Sequence, residues 1–116
     1  MKNPLWSEDE EVLLVDLFFR LTKYNIKIND ADQEVAVLSY ILRSHAKFEG
    51  FDIGPTFRNE VGIKKKLLNL MYVDTQGAEG LSAYSKGDLE MYNKFKKEPE
   101  KMKEYACSVI KQWNMF

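Results

Sequence analysis

Apolar residues recur at helical spacing in five separate stretches of this sequence, and each stretch opens on a residue pattern that starts helices. Nothing else in the chain restricts the fold as much. In WSEDEEVLLVDLFFRLTKY, Ser7 and Glu10 stand in capping-box spacing, and Glu8 and Asp9 suit the positive end of a helix dipole. Leu14, Leu17, Phe18 and Leu21 follow on one face. Val12, Leu13 and Phe19 widen that stripe, which predicts burial on more than one side, with Trp6 folding back onto the core.

The second stretch is NIKINDADQEVAVLSYILRSHAKF. Asp30 and Gln33 form another capping-box pattern, Val35, Leu38, Ile41 and Leu42 make an inner face, and NIKI reads as a loop in preference to a very short strand. EGFDIGPT, with Gly50, Gly54 and Pro55, is a loop. In FRNEVGIKKKLLNLM, Asn59 is the expected cap of a third helix running to about Tyr72, with Ile63, Leu67, Leu70 and Met71 on one face. DTQGAEGLSAY is a loop. Ser85 and Asp88 then cap a helix that buries Leu89, Tyr92 and Phe95. Pro99 opens the last helix, whose stripe is Met102, Ala106, Val109, Ile110 and Trp113. Trp113 and Phe116 are expected to complete the core. The fold class is therefore all-α: one domain over residues 1–116, a compact bundle of about five helices with a helix-turn-helix-like arrangement.

A chain of 116 residues with 45% hydrophobic and 30% charged residues can bury a core without staples. Its single cysteine cannot form an internal disulfide. No apolar run approaches the roughly 18 residues of a membrane span, and MKNPLWSEDEE lacks the apolar middle of a signal peptide, so a cytoplasmic location without membrane contact is the expectation. Net charge is −1, but unevenly divided. Residues 1–52 hold 6 Lys/Arg and 10 Asp/Glu, and residues 53–116 hold 11 and 8. That division either permits a local basic surface or reflects ordinary solubility patterning.

Several chemistries are excluded or weakened. One histidine and one cysteine cannot build a Cys/His zinc site or a multi-histidine nuclease centre. His45 reads as a last-turn residue that favours the helix dipole, and Cys107 as a small apolar residue in or beside the core. Gly77 and Gly80 fit no phosphate-cradling loop. Asp88, Glu90 and Lys94 could suggest a metal-nuclease trio, but residues two apart on a helix do not share a face, so Asp88 and Glu90 read as solvated charges. The expectation is a protein that is not an enzyme and needs no cofactor or metal.

On a helical wheel, Lys64 falls beside the core stripe of the third helix, while Gly62, Lys65, Lys66 and Asn69 group on the far side. Lys65 and Lys66 could neutralise phosphates, Arg58 could grip one with its fork, Gly62 could admit a backbone, and Asn69 could pair with an adenine edge. The opposing readings are structural. Gly62 could serve helix packing, Asn69 the following loop, and Arg58 a pair with Glu60 or with an acid of the first half.

These residues also carry a resemblance. The chain resembles the N-terminal accessory module of bacterial HNH endonucleases of the modified-cytosine restriction type. That module's pattern is F-R-N-P-x-G-V-x-x-K-L-x-N-F, followed by G-L-S-x-x-S-K-x-D. Here Phe57, Arg58, Asn59, Gly62, Ile63, Lys66, Leu67 and Asn69 match, then Gly80, Leu81, Ser82, Ser85, Lys86 and Asp88. The first two helices are similar as well. Glu60 stands where the family has proline and Leu70 where it has phenylalanine, and the HNH nuclease domain is missing. The resemblance implies an accessory module of restriction or phage defence that contacts duplex DNA or senses a target, with a nuclease or other defence protein as partner. Arg58, Asn59, Gly62, Lys65, Lys66 and Asn69 would make the contacts, joined by Ser82, Ser85 and Lys86. The alternative is a protein-interaction or dimerisation module with no nucleic-acid role.

Overall fold

A computed structural model describes residues 3–113. Five helices account for the described fold: α1 (Glu8–Lys23), α2 (Asp32–Phe48), α3 (Glu60–Asp74), α4 (Lys86–Lys97) and α5 (Pro99–Trp113). No strand occurs among the described residues. The Ser7–Glu10 and Ser85–Asp88 capping boxes both form, with each serine accepting from the backbone three residues on and each acid accepting from the serine's own N–H. Asn59 caps α3 as expected.

The start of α2 differs from expectation. Residues Ile28–Asp30 form a single 3-10 turn, and Ala31 occupies the cap with no side-chain hydrogen bond. Asp30 is thus absorbed into the turn and the Asp30–Gln33 box does not form. Burial decides this: Ile28 and Ala31 are both buried in the core, and placing them there fixes the chain one residue past the predicted cap.

Helix α1 lies along the middle of the bundle, with Val12, Leu14, Val15 and Leu17 almost wholly removed from water. It packs against all four other helices. Helix α3 is the second central element, touching α1, α2 and α4. Trp113 is in the core, as expected, while Phe116 lies outside the described residues. His45 sits in the last turn of α2 and stacks on Trp113 at 3.8 Å between ring centres, which joins the ends of α2 and α5. Two expectations fail here. Cys107 is exposed, because it faces outward from α5 between buried Ala106 and Val109. Within α4, Leu89 is only half-buried and Met91 takes the inner position beside Tyr92 and Phe95. No described helix is long and apolar enough to cross a membrane.

Candidate functional site

The turn Phe57–Arg58–Asn59 is pinned from three directions. Arg43 on α2 donates to the Phe57 carbonyl at 2.6 Å, and Ser39 Oγ donates to the Arg58 carbonyl at 2.8 Å. Arg58 itself adopts a positive φ of 46°, a conformation uncommon outside glycine. Its side chain turns inward. Nε donates to Glu10 Oε2 at 2.8 Å and Nη2 to Glu10 Oε1 at 3.0 Å, a two-pronged charged pair. Nη2 also reaches the carbonyls of Pro4 and Leu5. Its guanidinium lies over the rings of Trp6 and Phe57, 4.8 and 4.5 Å from their centres. Only 6% of Arg58 is exposed.

Asn59 and Gly62 form one device. Asn59 Oδ1 accepts from the Gly62 N–H at 2.8 Å, and a Cβ at position 62 would stand 3.0 Å from that same oxygen. The glycine therefore keeps the cap uncrowded. At Lys66, the ammonium bridges Glu11 at 3.2 Å and Asp88 at 2.7 Å, and it lies 4.7 Å from the centre of the Trp6 ring. Two buried carboxylates thus share one cation, and one oxygen of Glu11 has no hydrogen-bond partner. Burial, reinforced by the nearby Asp88 charge and opposed by Lys66, pushes the Glu11 carboxyl up to about 7.

The wheel grouping of Gly62, Lys65, Lys66 and Asn69 as an outer face is corrected by this packing. Lys65 is exposed, but Lys66 is mostly covered and Asn69 is buried with its side-chain carbonyl unpartnered. A wheel counts one core face, whereas α3 is covered on more than one side. Asp88, expected to be solvated, is 1% exposed, because its carboxylate both completes the α4 cap and meets Lys66. Lys64 pairs with Asp32. The second half of the motif is explained by close approach: a Cβ on Gly80 would fall 2.3 Å from the Leu68 carbonyl, to which the Leu81 N–H donates at 3.1 Å. Gly80 also has a φ of 91°.

Six of the nine predicted contact residues line one open cleft of about 580 Å³: Arg58, Asn59, Gly62, Lys66, Ser85 and Lys86. Lys65, Asn69 and Ser82 lie outside it. The first turns of α3 and α4 both border this cleft, where backbone N–H groups lack intrahelical partners. Trp6 and Glu11 also line it, with residues 3–5, Thr56 and Gly87, and the sequence pattern assigns none of these to the site. A signal for the acids was present in the uneven charge of the two halves. Glu8–Lys94, Glu10–Arg58, Glu11–Lys66 and Asp32–Lys64 all join an acid of the first half to a base of the second. The cations left at the cleft margin are Lys86, whose side chain is 90% exposed and only loosely paired with Glu90 at 3.8 Å, and Lys65 on the adjoining surface of α3. Comparison with protein-family models, with curated proteins and with solved structures finds no match to this chain.

Proposed function

We propose that this chain is a small non-catalytic accessory module that rests the N-terminal ends of α3 and α4 on a nucleic-acid backbone. One observation carries the reading. Two stretches singled out in the sequence, 57–66 and 85–86, converge on one cleft that two helix N-termini border. Helix N-termini favour anions through their dipole and through the first-turn N–H groups that the Asn59 and Ser85 caps leave unused, and phosphate is the anion that a duplex offers repeatedly. The roles divide differently from the sequence expectation. Arg58 and Lys66 hold the cleft in shape, since their charges already meet Glu10, Glu11 and Asp88. Contact falls to Lys65 and Lys86, with Asn59 and Ser85 at the helix ends. Residues 49–59 separate α2 from α3, a longer connection than the about three to four residues of a helix-turn-helix. The contact is therefore end-on and reads the backbone rather than base edges. The resemblance to an endonuclease accessory module supports the same reading, and with it a role in restriction or phage defence.

The test is fluorescence anisotropy with a labelled duplex of about 20 base pairs at 50 and 200 mM salt. Two phosphate contacts predict roughly a tenfold weakening between those salt concentrations. The Lys65→Glu/Lys86→Glu double variant should abolish the salt-dependent part while unfolding like the parent. Binding that ignores salt, or that survives the double reversal, overturns the proposal.

A further inference from the structure

The opposite side of the bundle carries an unfilled trough. Helices α2 and α5 both flank α1 and meet at the His45–Trp113 stack, leaving the outer surface of α1 uncovered between them. Two cavities of about 680 and 570 Å³ lie along it and share Asp16, Arg20 and Cys107 as their common border. The first is walled by Leu13, Ile41 and Ile110, the second by Phe19, Phe95 and Pro99. From Leu13 to Tyr24 the floor runs about 16 Å, or three helical turns.

The charges around the trough do not follow the chain as a whole. Net charge is −1, yet the rim holds five cations, Arg20, Lys23, Lys96, Lys103 and Lys111, against Asp16 and Glu34. Only Arg20 and Lys103 among those cations have salt-bridge partners among the described residues. A largely apolar trough whose cation excess lies at the second cavity, where Lys23 and Lys96 have no salt-bridge partner among the described residues, calls for a partner with an apolar stripe and acidic flanks. We infer that this trough docks an acidic amphipathic helix of a partner protein, with apolar residues at i, i+3 or i+4, and i+7.

Two other occupants fit less well. A second copy would have to offer its own exposed apolar helix stripe. Val37 and Tyr40 on α2 are exposed, but Val37 is itself a wall of the trough, so a second copy packing there would set one basic rim against the other. Single-stranded nucleic acid would need free aromatic faces for its bases. Here Phe19 is stacked on Phe95 and on Tyr92, at 5.5 and 5.4 Å between ring centres, which leaves Tyr24 as the one exposed aromatic side chain lining the trough, too few for successive bases.

The experiment is selection of a displayed library of 14-residue helical peptides on the full chain. Each peptide carries a fixed leucine stripe and flanks randomised among Glu, Lys and Gln. The expected result is enrichment of Glu at the flanks. Binding by the selected peptides should weaken about tenfold on Val37→Asp and again on Lys96→Glu/Lys103→Glu, with circular dichroism unchanged. These positions lie at the trough and are at least partly exposed, so the substitutions leave the core intact. Neutral or basic flanks overturn the proposal, as does failure to recover any binder whose affinity responds to those variants. So does a dimer in solution that buries Val37, or an oligonucleotide that displaces the selected peptides by occupying Lys96 and Lys103.

Discussion

Replacing Glu11 with glutamine should make the protein more stable at pH 8 and leave it little changed at pH 5. Burial and the Asp88 charge raise the Glu11 carboxyl from its ordinary value of 4.5 to about 7 in the folded state. The sign follows from that direction. A folded-state value above the unfolded one favours the native state while the group is protonated, below about pH 4.5. The advantage is lost as pH rises and is fully gone above about pH 7. A difference of about 2.5 units corresponds to about 3 kcal/mol. Glutamine keeps the shape, removes the titration, and leaves Lys66 its closer partner, Asp88 at 2.7 Å. Urea unfolding of both proteins at pH 5, 6, 7 and 8 measures the effect. Titrating groups that do not touch Glu11 cancel in the difference between the two proteins, and Asp88, relieved of a neighbouring charge, moves in the same stabilising direction. The gap in unfolding free energy should open between pH 5 and 7.5 and reach about 2–3 kcal/mol in favour of the variant. Curves that stay parallel across this range, or a variant that loses stability as pH rises, would refute the reasoning.

Three further outcomes test the site as described. Arg58→Met removes both prongs of the Glu10 pair and two carbonyl contacts, and should cost about 3 kcal/mol in denaturant unfolding. Gly80→Ala meets the Leu68 carbonyl at 2.3 Å and a φ of 91°, so a loss of at least about 2 kcal/mol is expected, read as a lowered melting temperature. Gly62→Ala should destabilise the native protein through crowding of Asn59 Oδ1, but in an Asn59→Ala background it should stabilise by about 0.5–1 kcal/mol, as alanine normally does within a helix. A double-mutant cycle that shows simple additivity contradicts the shared-cap account.

The helices and most of their ends are legible in the sequence because their causes are local. Ser7 with Glu10, Asn59 with Gly62, and Ser85 with Asp88 all act within one turn of themselves. The start of α2 is less legible, since burial of Ile28 and Ala31 outweighs a plausible cap at Asp30. For the site, residue identities are legible and their roles are not. Arg58 and Glu10 are 48 positions apart, and nothing local states that one will find the other. Periodicity placed Lys66 and Asn69 opposite the core stripe correctly in angle. It carries no information on a second layer, and here α1 and α4 cover that side of Lys66. The burial of Asp88 is not legible from its spacing to Glu90 within one helix, because its cation, Lys66, comes from another.

Glu10 serves two masters, and this sets how the native state opens. One of its oxygens accepts from the Ser7 N–H and from Arg58, and the other accepts from Arg58 as well. Fraying of the first turn of α1 therefore removes the counterion of an arginine that also holds the strand of backbone at Pro4 and Leu5 and anchors the turn before α3. Ends of helices ordinarily exchange their amide hydrogens by independent local motions. In this chain the Arg58–Glu10 pair links the beginnings of two helices, fifty residues apart in sequence by rough count, so the two are expected to open as one exchange unit. The amides of Glu10 and Gly62, each protected by its own cap, should then report a single opening event.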